Sequence, residues 1–262
     1  MDQSEAVLTN QPALVSIVIP AFNEEEILPK CIEELTYVMN KAGYRSEIIV
    51  VNDGSTDNTL FVAQSMRGKY APLRVLDLKR NYGKTIAIRE GVRASKGDAV
   101  AFFDADLQYN PEDLVKLVRL ANNGTDVVNG RRDYQSYGQT RTRLSMIYNT
   151  VLRLLFRVPV SDSNCGMKVL RRRAADPEIF FKYGLPLMVP LQRLKGFKFG
   201  EVPVLLRSRG AGESKFFKNG SFLGGWRNIK DISYHSGMLL GLLASLPTEW
   251  LRSGEAIHVD LN

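Results

Sequence analysis

The sequence predicts an α/β protein built on a mostly parallel, doubly wound sheet with flanking helices. Three observations carry that expectation. Residues 14–130 alternate short β-rich runs with stretches of helical periodicity, five such runs occur, and polar clusters follow four of them.

The elements follow in order. LVSIVI (Leu14 to Ile19) is a strand, and Glu25 to Lys41 is a helix that places Ile27, Leu28, Cys31, Leu35, Val38 and Met39 on one face. EIIVV (Glu47 to Val51) is the second strand. It enters NDGSTDNT, where Asp53-Gly54 is a turn dipeptide and Thr56 or Asp57 a good N-cap for a helix to about Lys69. LRVLDL forms the third strand and Gly83 to Ala94 the third helix, AVAFF (Ala99 to Phe103) the fourth strand, and DVVNG (Asp126 to Gly130) the fifth. Pro111 starts the helix between the last two, at the position proline favours.

The second half is less regular. Arg141 to Val158 reads as a basic amphipathic helix whose Leu144, Ile147, Tyr148, Val151, Leu152 and Leu155 are expected to pack on the sheet, with a lipid surface as the other use of such a face. SDSNCGMKVLRRR reads as a loop entering a strand, GFKFGEVPVLLRSR as another strand, and Phe222 to Leu243 as one or two helices ending near Leu246. No internal repeat, low-complexity segment or linker divides the chain. A single domain over residues 12–220 is expected, in two halves, 12–130 and 131–220, with 221–262 a helical, membrane-peripheral tail.

Composition narrows the function. The 262 residues carry a formal net charge of +7, unevenly spread: 14 Lys+Arg against 18 Asp+Glu in residues 1–130, and 21 against 10 in residues 131–262. A basic half suits an anionic partner, and without an RNA-binding or zinc-finger pattern nucleic acid is not expected. Cys31 and Cys165 read as reduced core residues, and His235 and His258 as incidental. The polar, acidic N-terminus does not resemble a signal peptide, and Gly237 to Leu246 is about half the roughly 20 residues that span a bilayer. The expectation is a cytoplasmic protein, placed at the inner face of the membrane if its anionic partner is a lipid. The sequons at Asn123 and Asn219 read as chance matches.

Ligands of doubly wound sheets bind at the carboxyl ends of the strands. The clusters there are Pro20, Asn23 and Glu24; Asp53; Arg80 and Asn81; and Asp104, Asp106 and Gln108. All four should converge on one edge. Two carboxylates spaced D-x-D after a buried strand are costly unless a cation neutralises them, and hard oxygens favour magnesium or manganese completed by substrate phosphates. Capping of the Pro111 helix is the plainer use of either acid. Asp53 stands where a carboxylate can accept from a nucleobase imide. Gly83-Lys84-Thr85 ends like a P-loop, but Leu78 stands where that motif needs its first glycine, so only a helix N-terminus favouring an anion remains at Lys84.

The segments VIPAFNEE, VVNDGSTD, RNYGKT, FFDADLQYNPED, NGRR, DSNCGMKVLRR, GFKFGEVPV and RGAGESK, in this order, resemble the family 2 glycosyltransferases, nearest the polyprenyl-phosphate sugar transferases. The resemblance implies a GT-A fold and inverting, metal-dependent transfer from a UDP- or GDP-sugar to a polyprenyl phosphate. A soluble hydroxyl acceptor, or a non-catalytic nucleotide-sugar-binding role, are the alternatives. It implies that 12–130 is the donor-binding half and 131–220 the acceptor side, and that Pro20, Phe22, Asn23, Glu24, Asp53 and Lys84 bind the donor with Asp104, Ala105 and Asp106. Asp104, Asp106 and Gln108 would hold Mg2+ or Mn2+, while Arg131, Arg209 and Lys215 would grip phosphates. Asp106, Arg131 and Arg209 would be the catalytic set. The Q-x-x-R-W pattern of processive synthases is not met at Gln192 to Gly196.

Overall fold

A computed structural model describes residues 14–69, 72–133, 139–180 and 187–207, with the backbone alone for 139–144. Seven strands form one sheet: β1 (Val15–Ala21), β2 (Ser46–Asn52), β3 (Leu73–Asp77), β4 (Ala99–Phe102), β5 (Val127–Arg132), β6 (Lys168–Arg171) and β7 (Phe199–Val204). Their spatial order is β3-β2-β1-β4-β6-β5-β7. Only β6 runs antiparallel to its neighbours β4 and β5; every other pair is parallel. The carboxyl ends of the six parallel strands therefore share one edge.

Helices α1 (Leu28–Lys41), α2 (Thr59–Ser65), α3 (Lys84–Ala94), α4 (Pro111–Asn122), α5 (Gln139–Phe156) and α6 (Met188–Leu194) cover the sheet. The two-residue strand period sorts β1 into two cores. Val15, Ile17 and Ile19 pack with Leu28, Ile32 and Leu35 of α1 and Leu114, Leu117 and Val118 of α4. Val18 faces the other way, with Ala87, Ile88 and Val92 of α3, Leu152 and Phe156 of α5, and Met188 and Leu191 of α6. A sheet buried on both faces is the arrangement that near-continuous apolar strands require.

Several expectations shift. Helix α1 starts at Leu28 rather than Glu25, because Pro29 sits in its first turn and residues 25–27 form turns instead. Helix α2 stops at Ser65 and turns follow to Lys69. Pro20 lies inside β1 rather than after it, beyond Val18, the last residue paired with β4. Proline is tolerated there because the ladder on that side has ended.

The packing of α5 also differs. Ile147 and Val151, expected on the sheet, are exposed together with Met146 and Leu154, whereas Asn149, Leu152 and Phe156 are buried and Tyr148 and Leu155 half-buried. The buried stripe is thus rotated from the expected face, and a second apolar stripe points outward. Among the described residues no helix is long and apolar enough to cross a membrane. The stretch 222–246 lies outside the described residues.

Candidate active site

Four loops meet at the carboxyl edge, and the first two are laced together. Asn23, at φ 54°, donates its backbone N–H to Ser55 Oγ at 3.0 Å, while its side-chain oxygen accepts from Thr56 N at 2.8 Å. Glu24 N–H donates to Thr59 Oγ1 at 2.8 Å, and Asn58 N–H donates to the Glu25 carboxylate at 2.9 Å. The short polar residues of NDGSTDNT therefore fix the β1 loop as well as their own turn. Asp57 supports α2 from one position before its Asn58 N-cap, accepting from both Thr59 N and Thr59 Oγ1.

Asp53 ties the second loop to the third. Its Oδ1 accepts from Tyr82 N at 2.8 Å and its Oδ2 from Gly83 N at 2.9 Å. Burial pushes its carboxyl above the ordinary value, with the two amides pulling in the opposite direction. Gly54, at φ +68°, is pressed so closely on the next loop that a Cβ would lie 2.3 Å from the Arg80 carbonyl carbon. The Arg80 guanidinium in turn stacks on the Tyr82 ring at 4.6 Å.

The third loop reaches the fourth through Lys84, the first residue of α3. Its Nζ lies 2.5 Å from Asp104 Oδ1. Neither carboxylate of the D-x-D triplet caps α4, since Asn110 accepts from Glu112 N in that role. Asp106 is nearly buried and its Oδ1 accepts from Gln108 N at 3.1 Å, with Leu107 between them at φ 52°. Asp104 and Asp106 offer hard oxygens, and among the described residues no group of three or more His, Cys, Asp or Glu gathers to hold a metal. That donor set fits Mg2+ or Mn2+, which take much of their shell from substrate phosphate and water.

A buried polar network supports Asp104 from behind. Gly166 packs against it, so that a Cβ there would meet Asp104 Oδ2 at 2.8 Å, and Gly166 N donates to the buried Tyr109 hydroxyl at 2.9 Å. Arg132 makes a bidentate pair with the fully buried Asp162, both contacts at 2.7 Å. Burial opposes the Arg132 charge, but Asp162 outweighs it and holds the guanidinium more firmly protonated than usual. Lys168, buried in β6, donates to the Asn129 side-chain oxygen and to the carbonyls of Ser163 (3.0 Å) and Cys165 (2.6 Å). Burial pushes its amine down to about 8. Both cysteines are buried thiols outside any disulfide, as expected.

The four strand-end clusters do converge. Asn23, Glu24, Asp53, Lys84, Asp104, Ala105, Asp106 and Gln108 fall within one chain of loop contacts. Phe22 leads directly into that lacing from the end of β1, and Arg131 is exposed at the end of β5. Arg209 and Lys215 lie outside the described residues. Sequence reasoning did not single out Arg132, Asp162, Lys168 or Tyr109. A usable signal existed for two of them: strand period places Arg131 and Arg132 on opposite faces, and Lys168 opens an apolar strand whose next two residues are buried.

A sheet of this order, with carboxylates at its strand ends, is the architecture of the GT-A glycosyltransferases. The same fold is found in glucosyl-3-phosphoglycerate synthase from Mycobacterium tuberculosis in complex with Mn2+, UDP and glucosyl-3-phosphoglycerate, with a TM-score of 0.58 and 21% identity over 78% of this chain and 75% of that one. It recurs in the mannosyltransferase PcManGT from Pyrobaculum calidifontis in complex with GDP-Man and Mn2+, with a TM-score of 0.54 and 16% identity over 74% and 56% of the two chains. The model of glycosyl transferase family 2 matches residues 16–180, and the chain belongs to that family. Among curated proteins, an undecaprenyl-phosphate 4-deoxy-4-formamido-L-arabinose transferase of Pseudomonas savastanoi pv. phaseolicola (strain 1448A / Race 6) is 37% identical over 163 residues, 62% of this chain and 48% of that protein. The chain thus spans about half the length of that relative.

Proposed function

We propose that this protein transfers a sugar, with inversion, from a UDP- or GDP-sugar to a polyprenyl phosphate in a metal-dependent reaction. The observation that carries the reading is the continuous line Asp53, Gly83, Lys84, Asp104 at the carboxyl edge, which links the Asp53 carboxylate to a metal-type carboxylate pair. Asp53 already accepts two amides, and each oxygen keeps a second lone pair for a uracil or guanine imide. Pro20, Phe22 and Glu24 belong to the neighbouring strand end, to which Asp53 is tied by its N–H donating to the Ala21 carbonyl at 2.9 Å. Asn23 holds Thr56 in the loop that follows Asp53.

Asp104, Asp106 and Gln108 would hold Mg2+ or Mn2+, which when bound supplies charge neutralisation for a departing diphosphate. Arg131, Arg209 and Lys215 are assigned to the phosphates, where a guanidinium fork and an ammonium suit oxyanions. Arg207, the last described residue before Arg209 in the sequence, donates its N–H to the Gln108 carbonyl at 2.7 Å.

A lipid phosphate is an anion before it reacts and asks no general base of the protein. Asp162, the carboxylate of the loop beside Asp104, is fully buried against Arg132 and is not placed to act as one. The named relative acts on undecaprenyl phosphate, which supports the same acceptor class. The outward stripe Ile147, Val151 and Leu154 on a helix that carries Arg141, Arg143 and Arg153 but no acid suits peripheral contact with an anionic bilayer.

The test is transfer of labelled sugar from a panel of UDP- and GDP-sugars, with Mg2+ or Mn2+, into solvent-extractable polyprenyl phosphate. Label in the lipid phase, with inverted anomeric configuration, is expected. Donor turnover that leaves all label in water overturns the lipid acceptor, and failure to bind any donor overturns the enzymatic reading.

A further inference from the structure

Lys84 occupies an unusual position. It opens α3 immediately after Tyr82 and Gly83, whose N–H groups are held by Asp53, and its ammonium contacts Oδ1 of Asp104. The other oxygen of Asp104 faces Gly166, where a Cβ would approach to 2.8 Å, so the carboxylate occupies space that only a glycine leaves open. The side chains of Lys84 and Asp104 are 42% and 24% exposed, which leaves the pair open to exchange with a ligand from solution. Lys168 and Arg132 are further cations on the adjoining strands, Lys168 in β6 standing opposite Phe102, two residues before Asp104.

We propose that Lys84 is an internal cation that competes with the divalent metal for Asp104 and is drawn off it by the donor's diphosphate, coupling metal binding to nucleotide binding. The inference rests on the metal reading of the D-x-D pair. Without nucleotide, a metal at Asp104 must displace the ammonium or sit beside it, and either weakens the metal. With nucleotide, the diphosphate gives Lys84 a new anion at the N-terminus of α3, and Asp104 is released to the metal. By linkage the same factor tightens the nucleotide when metal is present. Asp53 contributes by fixing the two residues before Lys84, so that base recognition and the position of the ammonium are set by the same short segment.

The experiment is titration of the intact protein with Mn2+, followed by electron paramagnetic resonance or calorimetry, alone and with saturating UDP or GDP, for the wild type, Lys84→Gln and Asp106→Ala. Removing an ammonium of this exposure should tighten Mn2+ binding without nucleotide by about fivefold. The tightening produced by UDP or GDP should shrink by a similar factor in Lys84→Gln, the remainder being due to direct contact of the metal with diphosphate. Unchanged or weaker Mn2+ binding in Lys84→Gln, with a melting temperature like that of the wild type, overturns the competition. Should Lys84→Gln prove unfolded, Lys84→Arg decides. A guanidinium keeps the charge, so nucleotide-linked tightening must persist, and its loss contradicts the proposal. If Mn2+ does not bind the wild type even with nucleotide, or binds Asp106→Ala equally well, the metal reading itself fails, a result distinct from failure of the Lys84 role.

Discussion

Replacing Gly54 by alanine tests whether the loops after β2 and β3 are built against each other. Alanine at φ +68° is strained by about 1–2 kcal/mol. Its Cβ would also lie 2.3 Å from the Arg80 carbonyl carbon and 2.5 Å from Asn81 N, both backbone atoms that cannot swing aside as a side chain would. Overpacking of that kind adds about 1–3 kcal/mol. Gly43→Ala is the matched control. Gly43, at φ +77°, has no atom within 4 Å of its would-be Cβ and lies in the α1–β2 connection, at the opposite edge of the sheet. It should lose only the conformational part. For a domain of this size each kcal/mol lowers the melting temperature by about 2–4 °C, so Gly54→Ala should melt several degrees below Gly43→Ala by calorimetry. Because Asp53 precedes Gly54 and holds the segment before Lys84, nucleoside diphosphate affinity should fall in Gly54→Ala and hold in Gly43→Ala. Equal melting temperatures and equal affinities in the two variants would refute the loop apposition.

Other expectations follow from single contacts. Asp106→Ala should abolish metal-dependent transfer while lowering stability by only about 1 kcal/mol, the value of the lost bond to Gln108 N; unchanged turnover sinks the metal assignment. Lys168→Met leaves three buried acceptors without their donor and should destabilise by about 1–3 kcal/mol, the relief of a buried charge offsetting part of the loss. Its pH dependence has a definite sign. With the folded amine at about 8 and the unfolded one at 10.5, the unfolded chain holds a proton that the folded chain has released, so Lys168 adds stability as pH rises through that window. The gap between wild type and Lys168→Met should therefore widen from pH 8 to pH 10 in denaturant titrations, and a narrowing gap contradicts the buried, depressed lysine. Leu154→Glu, at an exposed site on α5, should leave the melting temperature within about 1–2 °C and reduce cosedimentation with anionic vesicles several-fold. Undiminished cosedimentation removes α5 from the membrane-facing surface.

Much of the fold was legible because its signals are local. The apolar runs of β1, β2 and β4 are buried on both faces, so they read as strands without help from context, and Pro111 with Asn110 before it marks the start of α4. The antiparallel insertion of β6 between β4 and β5 was not legible, since strand direction depends on where the chain returns after α5. The face of α5 was misjudged for a related reason: Ile147 and Val151 form one apolar row at helical spacing and Tyr148, Leu152 and Phe156 the adjacent one, and only the position of the helix on the sheet decides which row is buried. Strand-end logic located Asp53, Asp104 and Asp106, but the contact of Lys84 with Asp104 depends on where α3 begins relative to β4. Asp162 and Arg132 carried no signal in the sequence, because only the folding of the loop before β6 against the end of β5 buries them as a pair.

The central claim is that a divalent metal and a nucleoside diphosphate bind together at this carboxyl edge. Crystals grown with Mn2+ and UDP or GDP, measured at the manganese absorption edge, test it most directly. The account predicts an anomalous peak at the carboxylates of Asp104 and Asp106, the base beside Asp53, and the Lys84 ammonium on the diphosphate. Manganese bound elsewhere, or a nucleotide whose base lies away from Asp53, would contradict it.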